Sequence, residues 1–171
     1  MSIRLAVPTR ADKEKAIEFK KEFYDIGEFV INGSEMLDNT EDYDVWITSV
    51  ENNANISTVN PEWVVTDTFF AVDENDRIVG IIDLRHELNE FLKDFGHSGY
   101  SVRPSERCKG YATEMLSMLK AVAKNCGMKI LQLSVERTNE ASVKTIIKNG
   151  GKYQRSFIFQ GEEADVYLIN L

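Results

Sequence analysis

Seven consecutive residues, Arg107, Cys108, Lys109, Gly110, Tyr111, Ala112 and Thr113, bring two cations and a glycine to the start of an apolar helical run. Helix starts ordinarily favour Ser, Thr, Asp or Asn as the cap, with carboxylates in the first turn. Here no acidic residue stands between Arg107 and Ala112, which suits a bound anion. A helix N-terminus offers unpaired N–H groups and a partial positive charge, together a site for phosphate. Gly110 lets the backbone approach a ligand closely, and Ala112 keeps the next turn small. The plainer alternative is a tight strand-to-helix turn that needs a glycine and is incidentally basic.

Proton-transfer chemistry has few candidates. His97 opens the strand that leads to this loop, and Glu87 lies shortly before it. Histidine is the side chain whose ordinary pKa lies nearest neutrality. Five carboxylates, Glu35, Asp38, Glu41, Asp42 and Asp44, crowd ten residues that hold no base. Their field would draw a cation.

Other chemistries lose support. HELNE, residues 86–90, lacks the second histidine of H-E-x-x-H, and the chain has only two histidines, so no zinc protease is expected. The glycine patterns of triphosphate and dinucleotide sites and the G-x-S-x-G elbow are absent from the sequence. Cys108 and Cys126 are too few for a disulfide framework and have no zinc-type partners beside them in sequence. They read as free thiols, and no metal is expected. A net charge of −8 over 171 residues argues against sequence-independent nucleic-acid binding. No apolar run approaches the ~20 residues that span a bilayer, and the N-terminus turns charged at once. A cytoplasmic protein with no membrane partner is the expectation.

The elements that must position these groups follow from periodicity. A strand at 3–7 precedes a helix at 11–24 with Ala16, Phe19 and Phe23 on one stripe. An irregular stretch at 27–44 leads to a second helix from Tyr43. Period two then takes over at 63–72 and 77–86, flanking the turn residues Asp73, Glu74, Asn75 and Asp76. A third strand, 97–104, delivers the loop, and a helix over 111–125 follows with its apolar residues at helical spacing. A strand at 129–135, a helix capped by Asn139 and strands at 152–159 and 165–171 complete the order β-α-α-β-β-β-α-β-α-β-β. This is one α/β (α+β) domain over residues 1–171. The strand–helix–strand succession around 100–135 predicts a parallel pair.

With these elements in place, the chain resembles the GCN5-related N-acetyltransferase (GNAT) superfamily. Its signature, Arg/Gln-x-x-Gly-x-Gly/Ala, is matched by Arg107, Gly110 and Ala112, and YSVRPSERCKGYATEML resembles the family's strand, pyrophosphate loop and helix. NEASVKTIIKNGG resembles its downstream Asn-x-x-Ala/Ser helix. The resemblance implies the acyl-CoA N-acyltransferase fold, a mixed central sheet of about seven strands with four helices. It also implies acetyl-CoA as co-substrate, its pyrophosphate held by the amides of residues 107–113. The pantetheine arm would pair with the backbone of Tyr100, Ser101 and Val102, and Asn139 and Ser142 would lie near the thiol. The family's usual tyrosine acid falls at Ile146, so that role is not carried over. His97, then Glu87, is the expected base. The acceptor is expected to be a small cationic amine or a peptide-borne amine drawn by the acidic stretch. A non-catalytic acyl-CoA-binding module is the alternative, and a homodimer through the last strands is a further reading.

Overall fold

The computed structural model describes residues 2–171. Strand β1 (Ile3–Ala6) pairs antiparallel with β2 (Thr66–Asp73), which pairs with β3 (Ile78–Arg85), and β3 with β4 (Tyr100–Val102). The β2–β3 turn forms where its residues predict. The Asp73 carboxylate accepts the Asn75 and Arg77 N–H groups at 2.9 Å each, the local bonding that favours Asp in turns. Residues 78–84 of β3 are all buried, as a central strand covered on both faces requires.

Helices α1 (Lys13–Asp25) and α2 (Tyr43–Asn53) cover one face of this sheet. Ala16, Phe19 and Phe23 of α1 and Tyr43, Trp46, Ile47 and Val50 of α2 are buried. They share a core with Phe70, Val72, Ile78 and Ile81. The Asp42 carboxylate caps α2 by accepting the Asp44 N–H at 2.9 Å. Helix α3 (Tyr111–Asn125) covers the other face, placing Met115, Leu116 and Leu119 against Val79, Ile82 and Leu84. β5 (Ile130–Glu136), α4 (Glu140–Lys148), β6 (Lys152–Phe159) and β7 (Glu162–Asn170) follow. The element order, the seven strands and the four helices are those expected.

The strands are arranged differently. They divide into a four-stranded sheet, β1-β2-β3-β4, and a three-stranded sheet, β5-β7-β6, in which every ladder is antiparallel. The predicted parallel ladder between β4 and β5 does not form. The segment before β4 meets β5 through one antiparallel bridge, Gly96 to Leu133. There the His97 N–H donates to the Gln132 carbonyl at 2.8 Å, and the Gln132 N–H donates to His97 Nδ1 at 2.9 Å. β4 is only three residues long and continues no ladder beyond this join, so the sheets part and leave an edge of each open. The core is continuous across both, since Leu131, Leu133, Val135, Tyr167 and Ile169 join the cluster under α3. No helix among the described residues is long and apolar enough to cross a membrane.

Candidate active site

The loop before α3 is fastened at its root by Arg103. This buried guanidinium donates to Glu22 at 2.5 Å, Glu18 at 2.6 Å and the Ile78 carbonyl at 3.1 Å. Gly110 is the N-cap of α3, with φ at +86°, and no side chain caps the helix. A Cβ added at Gly110 would meet nothing within 4 Å, so space lies open above the turn. The amides of Cys108, Lys109, Gly110, Ala112 and Thr113 have no acceptor among the described residues. The cations do not supply the charge. Arg107 forks onto Glu28 at 2.8 and 2.6 Å, and Lys109 reaches Glu106 at 2.8 Å. The Arg107 bond holds the Glu28 carboxyl below its usual range. What remains for an anion is backbone.

At the gap between the sheets, Gly99 and Arg103 turn their backbone groups toward β3. Antiparallel alternation then turns those of Tyr100 and Val102 outward, and that of Ser101 inward. The Ser101 hydroxyl instead donates to the Asn32 carbonyl at 2.9 Å. The Tyr100 hydroxyl crosses the gap to Ser142 Oγ at 2.6 Å, and burial raises its pKa against the pull of that bond. Asn139 caps α4 by accepting the Ser142 N–H at 3.2 Å. Ile146 is core, 1% exposed.

Beside β4 lies a cavity of about 720 Å³. Its floor holds Glu35, Asp38, Asp83 and Arg85, and Val30, Met36, Trp63 and Phe91 form apolar walls. Asp83 and Arg85 alternate on β3, so both face the α1–α2 side of the sheet. Glu35 arrives from the loop between α1 and α2. Glu35 and Met36 have φ of 50° and 71°, a left-handed conformation costing roughly 1 kcal/mol or more per non-glycine residue. The Trp46 indole N–H holds this turn by donating to the Ser34 carbonyl at 2.9 Å and the Glu35 carbonyl at 3.1 Å. Gly33 packs so tightly on β4's approach that a Cβ there would stand 2.1 Å from the Gly99 oxygen.

Burial, and then the Asp83 charge, push the Glu35 carboxyl up to about 7. Burial also raises Asp83, against the opposing pull of Arg85. Asp83 Oδ1 accepts the Gly99 N–H at 2.6 Å, whereas Oδ2 has no hydrogen bond from a fixed donor. A proton shared between the two carboxyls satisfies the pair, as like charges in one buried site demand. Arg85 stands 3.4 Å from Asp83 and stacks 5.8 Å from the Trp63 ring.

The residues singled out as bases lie elsewhere. His97 is the join between the sheets; burial, helped by Arg85, lowers its pKa to about 4. With Nδ1 accepting an amide, its ring is neutral and committed. Glu87 is exposed and lies outside the cavity lining. The acidic stretch is not a uniform field. The Asp38 carboxylate is buried and accepts the Ile31 N–H at 2.8 Å, Asp42 is a helix cap, and Asp44 pairs with Lys13 and Arg10. Sequence reasoning passed over Asp83. The available signal was a carboxylate inside an otherwise apolar strand, a position that burial makes costly unless it is used.

The family model for the acetyltransferase (GNAT) domain matches residues 3–152. A GnaT-family acetyltransferase candidate from Bordetella pertussis has a similar structure, with a TM-score of 0.71 and 13% identity over 97% of this chain and 94% of that one. So does yncA of Salmonella typhimurium, an acetyltransferase candidate solved with its cofactor acetyl-CoA (TM-score 0.69, 16% identity, 99% and 94% covered). The spermidine/spermine N-acetyltransferase SpeG of Vibrio cholerae, in mutant form, is similar at a TM-score of 0.68 and 14% identity, with 98% and 93% covered. At these identities the likeness is one of fold. No curated protein is similar enough in sequence to count as a match. The matched domain spans most of the residues and includes the glycine turn, the opened sheet edge and the carboxyl-floored cavity, and on that ground the chain belongs to the GNAT acetyltransferase family.

Proposed function

We propose that the protein transfers an acetyl group from acetyl-CoA to a primary amine, with the Glu35–Asp83 pair taking the amine's proton. The observation that carries this reading is the Glu35 carboxyl at about 7 in the floor of a cavity beside β4. An alkyl ammonium has a pKa around 10 and is no nucleophile until it loses a proton. A half-buried carboxylate poised near neutral pH is a suitable acceptor for it. Among the charged residues lining the cavity, Glu35, Asp38, Glu62 and Asp83 outnumber Arg85, which favours entry as the cation. A small cationic amine or a peptide-borne amine remains the reading for the acceptor.

The residues present fit acetyl-CoA. The amides of Cys108, Lys109, Gly110, Ala112 and Thr113, which have no acceptor among the described residues, and the open space at Gly110 suit its pyrophosphate, and the outward backbone of Tyr100 and Val102 suits its amide-bearing arm, as an added strand would. The amine forms the new C–N bond to the acetyl carbon as the C–S bond breaks. Glu35 takes the proton whose loss turns the ammonium into the amine, the nitrogen's second proton leaves to solvent after attack, and the Tyr100 phenol, held by Ser142, protonates the leaving thiolate and is itself reprotonated from solvent. Thiol release followed with a panel of diamines, polyamines and peptides should exceed amine-free hydrolysis. It should also rise with pH through about 7, because Glu35 is a base only once deprotonated. Absence of any amine-dependent release would overturn the reading in favour of an acyl-CoA-binding module.

A further inference from the structure

We propose that Asp67, His86 and Cys126 form a binding site for one zinc-class divalent cation, at the end of the sheet where β2 begins and β3 and α3 end. Their ligand atoms all lie within 4.8 Å of one another. None of the three serves acetyl transfer in the reading above. His86 follows Arg85 along the chain and, by strand alternation, turns to the opposite face of the sheet, where α3 terminates. The residues are distant in sequence, which is why Cys126 looked partnerless when its neighbours along the chain were considered alone.

The three positions are held by backbone structure. Asp67 is paired with Leu84 in the β2–β3 ladder. The His86 N–H donates to the Val65 carbonyl at 2.9 Å, and the Cys126 N–H closes α3 on Val122 and Ala123 at 3.0 and 3.1 Å. The side chains are close together. His86 Nε2 and Asp67 Oδ2 are hydrogen-bonded to each other at 2.7 Å, a contact that a shared ion would replace, and Cys126 is an exposed free thiol.

The donor set selects the ion. One carboxylate oxygen, one imidazole nitrogen and one thiolate sulfur form a mixed set of intermediate softness, which suits zinc or cobalt(II) and not magnesium or calcium. Ligands about 2.0–2.3 Å from one tetrahedral ion stand roughly 3–4 Å apart. Closing from 4.8 Å, and opening the 2.7 Å contact, needs side-chain adjustments of about an ångström at a half-exposed surface. Three protein ligands leave a fourth position for water on the exposed Cys126 side. The ion would tie the C-terminal end of α3 to the sheet, at the opposite end of the helix from Gly110.

The test uses full-length, tag-free protein and the metals themselves. Titration with cobalt(II) should give a thiolate-to-cobalt charge-transfer band saturating at one equivalent, and calorimetry with zinc should give the same stoichiometry. Cys126→Ser should remove the band and weaken zinc binding at least tenfold, and His86→Gln should weaken it comparably. Cys108→Ser should change neither. Zinc should raise the melting temperature of the wild type and not of Cys126→Ser, since only a ligand of the native state stabilises it. Absence of a one-to-one complex, loss of the band in Cys108→Ser instead, or zinc affinity unchanged by Cys126→Ser would each overturn the site. None of these readouts involves acetyl transfer.

Discussion

The turn at residues 107–113 presents backbone, whereas the cavity floor presents the side chains of Glu35, Asp83 and Arg85, which come from separate elements. The turn faces water and offers amides. Its two cations pair with Glu28 and Glu106, so the affinity for an anion proposed above would rest on N–H groups and helix polarity. The floor is half-buried and rests on mutual electrostatic strain, with buried Asp83 and half-buried Glu35 and Arg85 held where desolvation raises both acids. A backbone device tolerates changes of side chain but not of conformation. A side-chain device tolerates nothing that alters charge.

The largest effect expected from breaking this contrast is at the floor. Glu35→Gln should lower kcat about 10²–10⁴-fold, the usual worth of a general base, and leave acetyl-CoA affinity within about twofold by calorimetry. A loss shared equally between the two measurements would place Glu35 in structure instead. Next is the turn. Gly110→Asp adds a negative charge and a side chain to a residue at φ +86°, and acetyl-CoA affinity should fall about a hundredfold or more while circular dichroism stays native. Gly110→Asn, which tolerates the left-handed conformation, should lose much less, separating charge from backbone strain.

A pH series sharpens the contrast further. The Glu35 pKa is raised in the folded state, from 4.5 to about 7, so the native protein keeps a proton that the unfolded chain has released. Stability attributable to this group therefore declines as pH rises from about 4.5 through 7. The melting temperature of the wild type relative to Glu35→Gln should fall across that window, and a flat difference would remove the strained carboxyl. The smallest effect on turnover is expected at His97. His97→Gln should change turnover less than threefold but lower the melting temperature, because the join at Gln132 loses its acceptor. The folded-state His97 pKa is depressed to about 4. Wild-type stability attributable to it is full above about 6.5 and is lost as pH falls toward 4, a limb the variant should lack.

The same contrast explains what could be read from the chain. The glycine turn and α3 were legible at near-residue precision, because the helix start, its apolar spacing and its glycine are local signals. Helix α4 and its Asn139 cap were legible for the same reason. The division into two sheets was not, since it depends on Gly96 and His97 meeting Leu133 and Gln132, partners set by tertiary packing. The sequence points to His97 as the base because its ordinary pKa is attractive, and it carries no sign that burial lowers that pKa to about 4 in the fold. Glu35 sat inside the acidic stretch, but nothing local distinguishes it from Glu41, which remains exposed. Only the strained turn under Trp46 and the arrival of Asp83 from β3 separate them.

The contact between Gly33 and Gly99 bears on how such an enzyme could diversify. A side chain at Gly33 would collide with the Gly99 backbone, and one at Gly99 would press to 2.9 Å from the Gly33 nitrogen. Gly33 belongs to the loop that lines the cavity, and Gly99 leads into the strand whose outer edge lies open. A mutation at either glycine therefore disturbs the cavity and the β4 edge at once. Lineages altering the acceptor proposed above would be expected to leave that seam untouched and vary the apolar walls Val30, Met36, Trp63 and Phe91.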